Sequence, residues 1–173
     1  MRTLLISVLF ALAATFPTLA AVTHSGGSLI KVTVVTETNG STTSLQNYVQ
    51  LPGAVVHITV APGTTQLVRA SFTAKSLCAE GNPGNWCSIR IVAVNAAGSS
   101  AELSPKSGLS YAFDTVTAPA GSDDGFEGNA MDRSVILGSG DYAIRVQMAA
   151  VGGSTIFALD DWSFTVEQHS NGL

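Results

Sequence analysis

The chain has 173 residues, of which 46% are hydrophobic and 12% are charged, with 17 glycines and a net charge of −4. This length and apolar content suffice for one domain with its own core, so the composition excludes a disordered chain. The low charge content argues against amphipathic helices. The acidic balance argues against a surface that binds nucleic acid or an anionic membrane.

The first twenty residues predict a secretory signal peptide. Arg2 supplies a positive charge, and residues 4–14 form an apolar run that is shorter than a bilayer span. The small residues Thr18 and Ala20 precede the expected cleavage point, and cleavage after Ala21 fits almost as well.

We therefore expect a signal peptide at residues 1–20 and one domain at residues 21–173, with an ordered core over about residues 28–168. The mature protein is expected to be secreted, either extracellular or periplasmic, with no stable membrane span after cleavage.

After the leader, apolar and polar residues alternate with a period of two, which is typical of strands that bury one face. Glycine and proline dipeptides such as Pro52-Gly53, Pro62-Gly63 and Gly152-Gly153 separate the alternating runs. The pattern predicts eight to ten short strands. The predicted fold is all-β, an antiparallel two-sheet β-sandwich of Greek-key or jelly-roll type, whose last strand buries Trp162, Phe164 and Val166.

Leu137, Gly140 and Tyr142 resemble the tyrosine corner of Greek-key proteins, in which the chain passes between sheets and the tyrosine hydroxyl bonds to upstream backbone. Ser139 stands where that pattern prefers proline. An ordinary hairpin with a core tyrosine is the alternative, and Tyr142 is structural in both cases.

Cys78 and Cys87 are the two cysteines of the chain and flank a loop rich in glycine and asparagine. Two such cysteines should pair in an oxidising compartment, so we expect a disulfide that closes one hairpin. A zinc site would need more ligands than these two residues supply.

The adjacent carboxylates Asp160 and Asp161 interrupt the alternation of the last strand. One extra residue there would keep the apolar side chains on one face and turn both carboxylates outward, so we expect a β-bulge. The carboxylates would then bond to backbone or pair with Arg133 or Arg145. A pair of catalytic or ligating carboxylates is the alternative.

Several segments together are similar to a group of small secreted bacterial jelly-roll proteins. The likeness covers most of the chain from about residue 54 onward and is carried by residues 69–78, 86–91, 130–134, 137–147 and 159–167. It implies the fold, the export and the hairpin disulfide. It implies no activity and no catalytic residue.

We expect a predicted acidic loop to be solvated or paired with Arg133. The alternative is a calcium site, because the loop offers oxygen ligands of the type that calcium prefers. We expect Trp86 to cover the disulfide, and stacking on a sugar ring beside its Asn- and Gly-rich loop is the alternative. The loop residues are Asp123, Asp124, Glu127 and Asp132.

No motif predicts a catalytic site or a cofactor, and calcium at the acidic loop is the alternative. Asn39 begins a glycosylation sequon, which matters only in a host that modifies it. We expect a non-enzymatic β-sandwich module with a binding or structural role, for which a glycan or cell-surface component is a candidate partner. The alternatives are a small glycan hydrolase with paired carboxylates and a subunit of a cell-surface or oligomeric assembly.

Overall fold

The computed structural model describes residues 23–117 and 125–170. The predicted signal peptide and the candidate ligands Asp123 and Asp124 lie outside these ranges. No helix within them has the length and hydropathy to cross a membrane. The strands are β1 (Leu29–Glu37), β2 (Ser41–Thr43), β3 (Val49–Ala79), β4 (Trp86–Asn95), β5 (Ser100–Glu102), β6 (Asp114–Thr115), β7 (Glu127–Val151) and β8 (Ile156–Ser170), with a 3₁₀ turn at Gly108–Ser110.

The long strands β3 and β7 pair with each other antiparallel along most of their length. Their register is interrupted between Val60 and Thr65, and the two halves of the pair have different neighbours. The second half of β3 also pairs with β8, whereas the second half of β7 pairs with β4. The hydrogen-bonded sheet therefore divides into two layers.

Layer A contains β1, β8, residues 66–79 of β3 and residues 127–138 of β7, in that order. Layer B contains residues 49–60 of β3 and 140–151 of β7, followed by β4, with β5 and β6 along its far edge. Small β2 extends the outer edge of β8 beyond β1. Sequential strands are thus often not neighbours, as in Greek-key folds.

The two layers face each other across a hydrophobic core. Gly53 of layer B lies against the indole ring of Trp162 in layer A, and Phe72 contacts Phe113 and Trp162 with ring centroids 5.9 and 6.1 Å apart. Side chains from alternate positions of both layers fill the space between them. The predicted antiparallel β-sandwich is confirmed. The largest fully buried side chains include Trp162, Phe72, Phe157, Phe164, Leu51, Ile89, Ile91 and Ile144.

The bulge predicted in the last strand is confirmed. Two residues of β8, Asp161 and Trp162, lie opposite the single residue Ala74 of β3, and Asp161 has a φ of 43°. The predicted pairing with Arg133 or Arg145 was wrong, because Lys75 on the adjacent strand forms the ion pair with Asp161.

Tyr142 lies where β7 passes from layer A to layer B. Its hydroxyl donates to the carbonyl of Gly138 at 3.1 Å, and Gly140 between them has a φ of 145°. A positive φ of this kind is readily adopted only by glycine, so Gly140 allows the chain to change layers without a break in the strand. The side chain of Leu137 is buried just before the crossing.

The predicted disulfide between Cys78 and Cys87 is confirmed, but its placement in a hairpin was wrong. β3 and β4 are not paired strands, because Cys78 lies in layer A and Cys87 lies in layer B. The disulfide therefore links the two layers across their connection at residues 80–85.

Replacing both cysteines with alanine should lower the free energy of unfolding by about 2 to 4 kcal/mol, because the bridge restricts the unfolded chain. The fold should persist, since the core is shared by both layers without the sulfur atoms. Urea denaturation followed by tryptophan fluorescence measures the loss. An unfolded double variant, or one as stable as the wild type, would contradict this account.

Candidate functional site

The predicted acidic loop is largely part of a strand. Glu127 is the first residue of β7, and Asp132 lies within the same strand opposite Ser71. The loop interpretation was wrong from Glu127 onward, because pairing with β3 extends to that residue. Within the described part of the chain, no group of three or more His, Cys, Asp or Glu residues could hold a metal ion.

Asp132 pairs with Arg69 of the adjacent strand, and the expected pairing with Arg133 was wrong. Arg69 Nε donates to Asp132 Oδ2 at 3.0 Å, and its guanidinium also lies 3.7 Å from Glu167. The bond to Asp132 raises the pKa of Arg69. Arg133 points elsewhere, with its guanidinium carbon 4.6 Å from the ring centroid of Tyr111.

Trp86 lies on the outer face of layer B. Successive strand residues point to opposite faces, so buried Cys87 faces the core and Trp86 faces away from it. The expectation that Trp86 covers the disulfide was therefore wrong. Its indole N–H donates to the carbonyl of Leu109 at 2.7 Å, and the side chain thus holds the 3₁₀ turn against the sheet.

Tyr48 holds the same turn through a second carbonyl. Its hydroxyl lies 2.7 Å from Ser88 Oγ and donates to the carbonyl of Gly108 at 2.8 Å, while Arg90 stacks on its ring at 4.2 Å. Burial raises the pKa of Tyr48. This group of aromatic residues is engaged in internal contacts of layer B.

Tyr48→Phe should lower the free energy of unfolding at pH 7 by about 1 to 3 kcal/mol, because two hydrogen bonds are lost. The raised pKa favours the neutral phenol in the folded state. Its contribution is complete below about pH 10, the ordinary tyrosine pKa, and is lost as the pH rises through the higher folded-state value.

The difference between wild type and Tyr48→Phe should therefore shrink above pH 10 in urea denaturation series. Tyr111→Phe is the control at pH 7, since that hydroxyl makes one long bond of 3.5 Å and its removal should cost less. Equal losses of unfolding free energy at the two positions would show that the hydrogen bonds of Tyr48 contribute no more than that of Tyr111.

A cleft of about 370 Å³ opens on the outer face of layer B. Arg145 lines one part of it, and Asp141 lines another and accepts a 2.6 Å bond from Thr59. Arg145 Nε is buried without a hydrogen-bond partner in the described chain. Asp141 is the one carboxylate among the described lining residues.

The free edge of β1 is the most unusual surface of the described chain. β1 pairs with β8 on one side, and its other side has no partner strand among the described residues. Leu29, Ile30, Val32 and Val34 are 46–55% exposed, and they make up four of the nine exposed large hydrophobic residues in the part of the chain that the structure describes. Exposed hydrophobic surface is thus concentrated on a strand whose backbone groups are available for pairing.

The N-terminal segment leads away from this edge. His24 Nδ1 lies 2.8 Å from Ser134 Oγ on β7, at the opposite side of layer A, and Gly27 donates to the carbonyl of Ser170 at the end of β8. The described residues before β1 therefore leave its edge uncovered.

The sequence interpretation did not single out β1 as a functional surface. The alternation from Ile30 to Val34 correctly indicated a strand, but it gave no reason to leave its edge free. One available signal was the adjacent pair Val34-Val35, which places apolar side chains on both faces. Such a pattern is typical of a strand that is covered on both faces.

No protein-family model matches the chain, and no curated protein matches it. Among solved structures it is similar to the VP2 protein of infectious bursal disease virus. The VP2 subviral particle has 12% identity and a TM-score of 0.46 and the derived T=1 particles have 13% and 0.47, each over 93% of this chain. The chain spans 37% and 36% of those proteins. A likeness at this level carries no functional conclusion, and it does not bear on the resemblance to bacterial jelly-roll proteins.

Proposed function

We propose that the protein is a secreted, non-enzymatic structural module that assembles with other protein chains through the free edge of β1. The observation that carries the proposal is a long apolar edge strand that has no partner among residues 23–117 and 125–170. The predicted signal peptide and the disulfide support export to an oxidising compartment.

Monomeric proteins usually protect such edges with proline, with inward-pointing charged side chains, with bulges or with very short strands. β1 has a bulge next to Leu29, but from Lys31 to Glu37 its register is regular and contains no proline. The charged residues of this run, Lys31 and Glu37, stand at its two ends. The edge is thus suited to accept a further strand, with backbone hydrogen bonds for affinity and valine side chains for specificity.

The test is the double substitution Val32→Lys and Val34→Lys. Two lysines on the edge should repel a second strand and leave the monomer folded, because both side chains are exposed. Light scattering from micromolar to millimolar concentration should show assemblies of the wild type and monomers of the variant.

Ile136→Lys is the matched control, since Ile136 is also exposed but lies on β7 at the opposite side of layer A. This variant should assemble like the wild type. A wild type that remains monomeric over the whole range would contradict the proposal.

The cleft of layer B favours a second candidate function, the binding of a carboxylate-bearing glycan. The buried Nε of Arg145 has no partner in the described chain, and a carboxylate is the group that best satisfies a guanidinium. His57 and Asn95 line the same cleft and add polar groups for hydroxyls.

Calorimetric titration with a uronic-acid oligosaccharide and with its neutral counterpart tests this function. We expect binding of the acidic glycan alone and its loss in Arg145→Gln. Arg69→Gln on layer A should bind like the wild type. No binding to the wild type, or equal binding of both glycans, would refute a carboxylate site.

A further inference from the structure

We propose that the partner of β1 is the β1 strand of a second copy, paired antiparallel about a two-fold axis that passes beside Val34. The inference rests on the proposed function and names its partner. It makes layer A continuous across two copies, with the two β1 strands at the centre of an eight-stranded sheet.

The axis follows from the geometry of the strand. A two-fold axis perpendicular to the sheet leaves the outer faces of both copies on the same side of the joined sheet. Directly opposed residues of antiparallel strands point to the same face, so the axis must place one residue opposite its own equivalent. The regular part of β1 runs from Lys31 to Glu37, and Val34 is its middle residue. Centring the pair there lets the whole regular run take part.

The charges favour the same register. With Val34 opposite itself, Lys31 of each copy faces Glu37 of the other, which gives two complementary pairs. A shift of the axis to Thr33 would place Lys31 opposite Val35 and Glu37 opposite Leu29. A shift to Val35 would place Lys31 opposite Asn39, so neighbouring two-fold registers lose both ion pairs.

Both charged groups are available for this contact. Lys31 is exposed and has no ion pair within the described chain. Glu37 accepts bonds at Oε1 from the backbone N–H groups of Thr38 and Asn39 at 2.9 and 3.0 Å. These bonds lower the pKa of Glu37, so its carboxylate stays ionised, and Oε2 is left for a partner.

The apolar residues of the outer face complete the match. Val34 meets Val34 of the second copy, and Val32 meets Thr36. On the other face Thr33 meets Val35. Pairs of β-branched side chains are favourable across strands, and no like charges face each other in this register.

A charge-reversal series tests the register. Lys31→Glu and Glu37→Lys should each raise the dimer dissociation constant roughly tenfold, because like charges then face each other twice. The double variant with both substitutions should regain wild-type association. Lys106→Glu is the control, since it makes the same change of net charge at an exposed site outside β1.

A cysteine at the axis gives an independent measurement. The Cβ atoms of directly opposed residues lie within disulfide reach, so Val34→Cys should form a covalent dimer on oxidation. Val32→Cys should not, because its equivalent lies four residues away along the partner strand. The native pair of Cys78 and Cys87 serves as the internal standard for complete oxidation.

The outcomes separate the two proposals. If the wild type associates but the double charge variant is not rescued or Val34→Cys fails to cross-link, the two-fold register is wrong while assembly stands. If Val32→Cys cross-links instead, another register is present and the inference is overturned. If the wild type does not associate, assembly through β1 fails as well.

Discussion

The long pairing of β3 with β7 is the constraint on which the rest of the structure depends. These strands belong to both layers, so one ladder fixes the position of every other strand. In layer B, the β7 strand of this ladder pairs with β4. In layer A, the β3 strand of the ladder pairs with β8. Because both layers share this ladder, the core between them is closed without a helix, and each layer has a defined outer face.

Alternation in the sequence was enough to predict strands, the sandwich and the buried face of most strands. In β1 the apolar set Ile30, Val32 and Val34 is exposed instead. Alternation was not enough to predict the length of the strands. Pro62-Gly63 looked like the end of a strand, yet β3 continues through it because Gly63 has a φ of 74° and the register resumes at Thr65. A bend of this kind preserves the period of two on both sides, so local sequence cannot distinguish one bent strand from two short ones.

For the candidate site residues too, the sequence predicted features that depend on nearby residues but not contacts between residues far apart in the chain. The cysteine pair and the bulge at Asp160 follow from spacing and parity, and both were predicted. The partners of Asp132 and Asp161 are Arg69 and Lys75, which are 63 and 86 residues away and become neighbours only through strand register. A single sequence contains no signal for that register, and the nearest arginine in the chain was therefore chosen wrongly.

The free edge of β1 follows from how the sandwich is closed. β8 lies between β1 and β3, so its backbone groups are hydrogen-bonded to a strand on each side. The unpaired backbone groups at this edge of layer A therefore belong to β1. The other side of layer A is partly protected, because Ser134 of β7 forms a backbone bridge with Ser104. β1 has no such cover in the described chain and also carries exposed valines. A monomer would leave both the hydrogen-bonding groups and the apolar surface of this strand in water, whereas addition of one strand satisfies both at once.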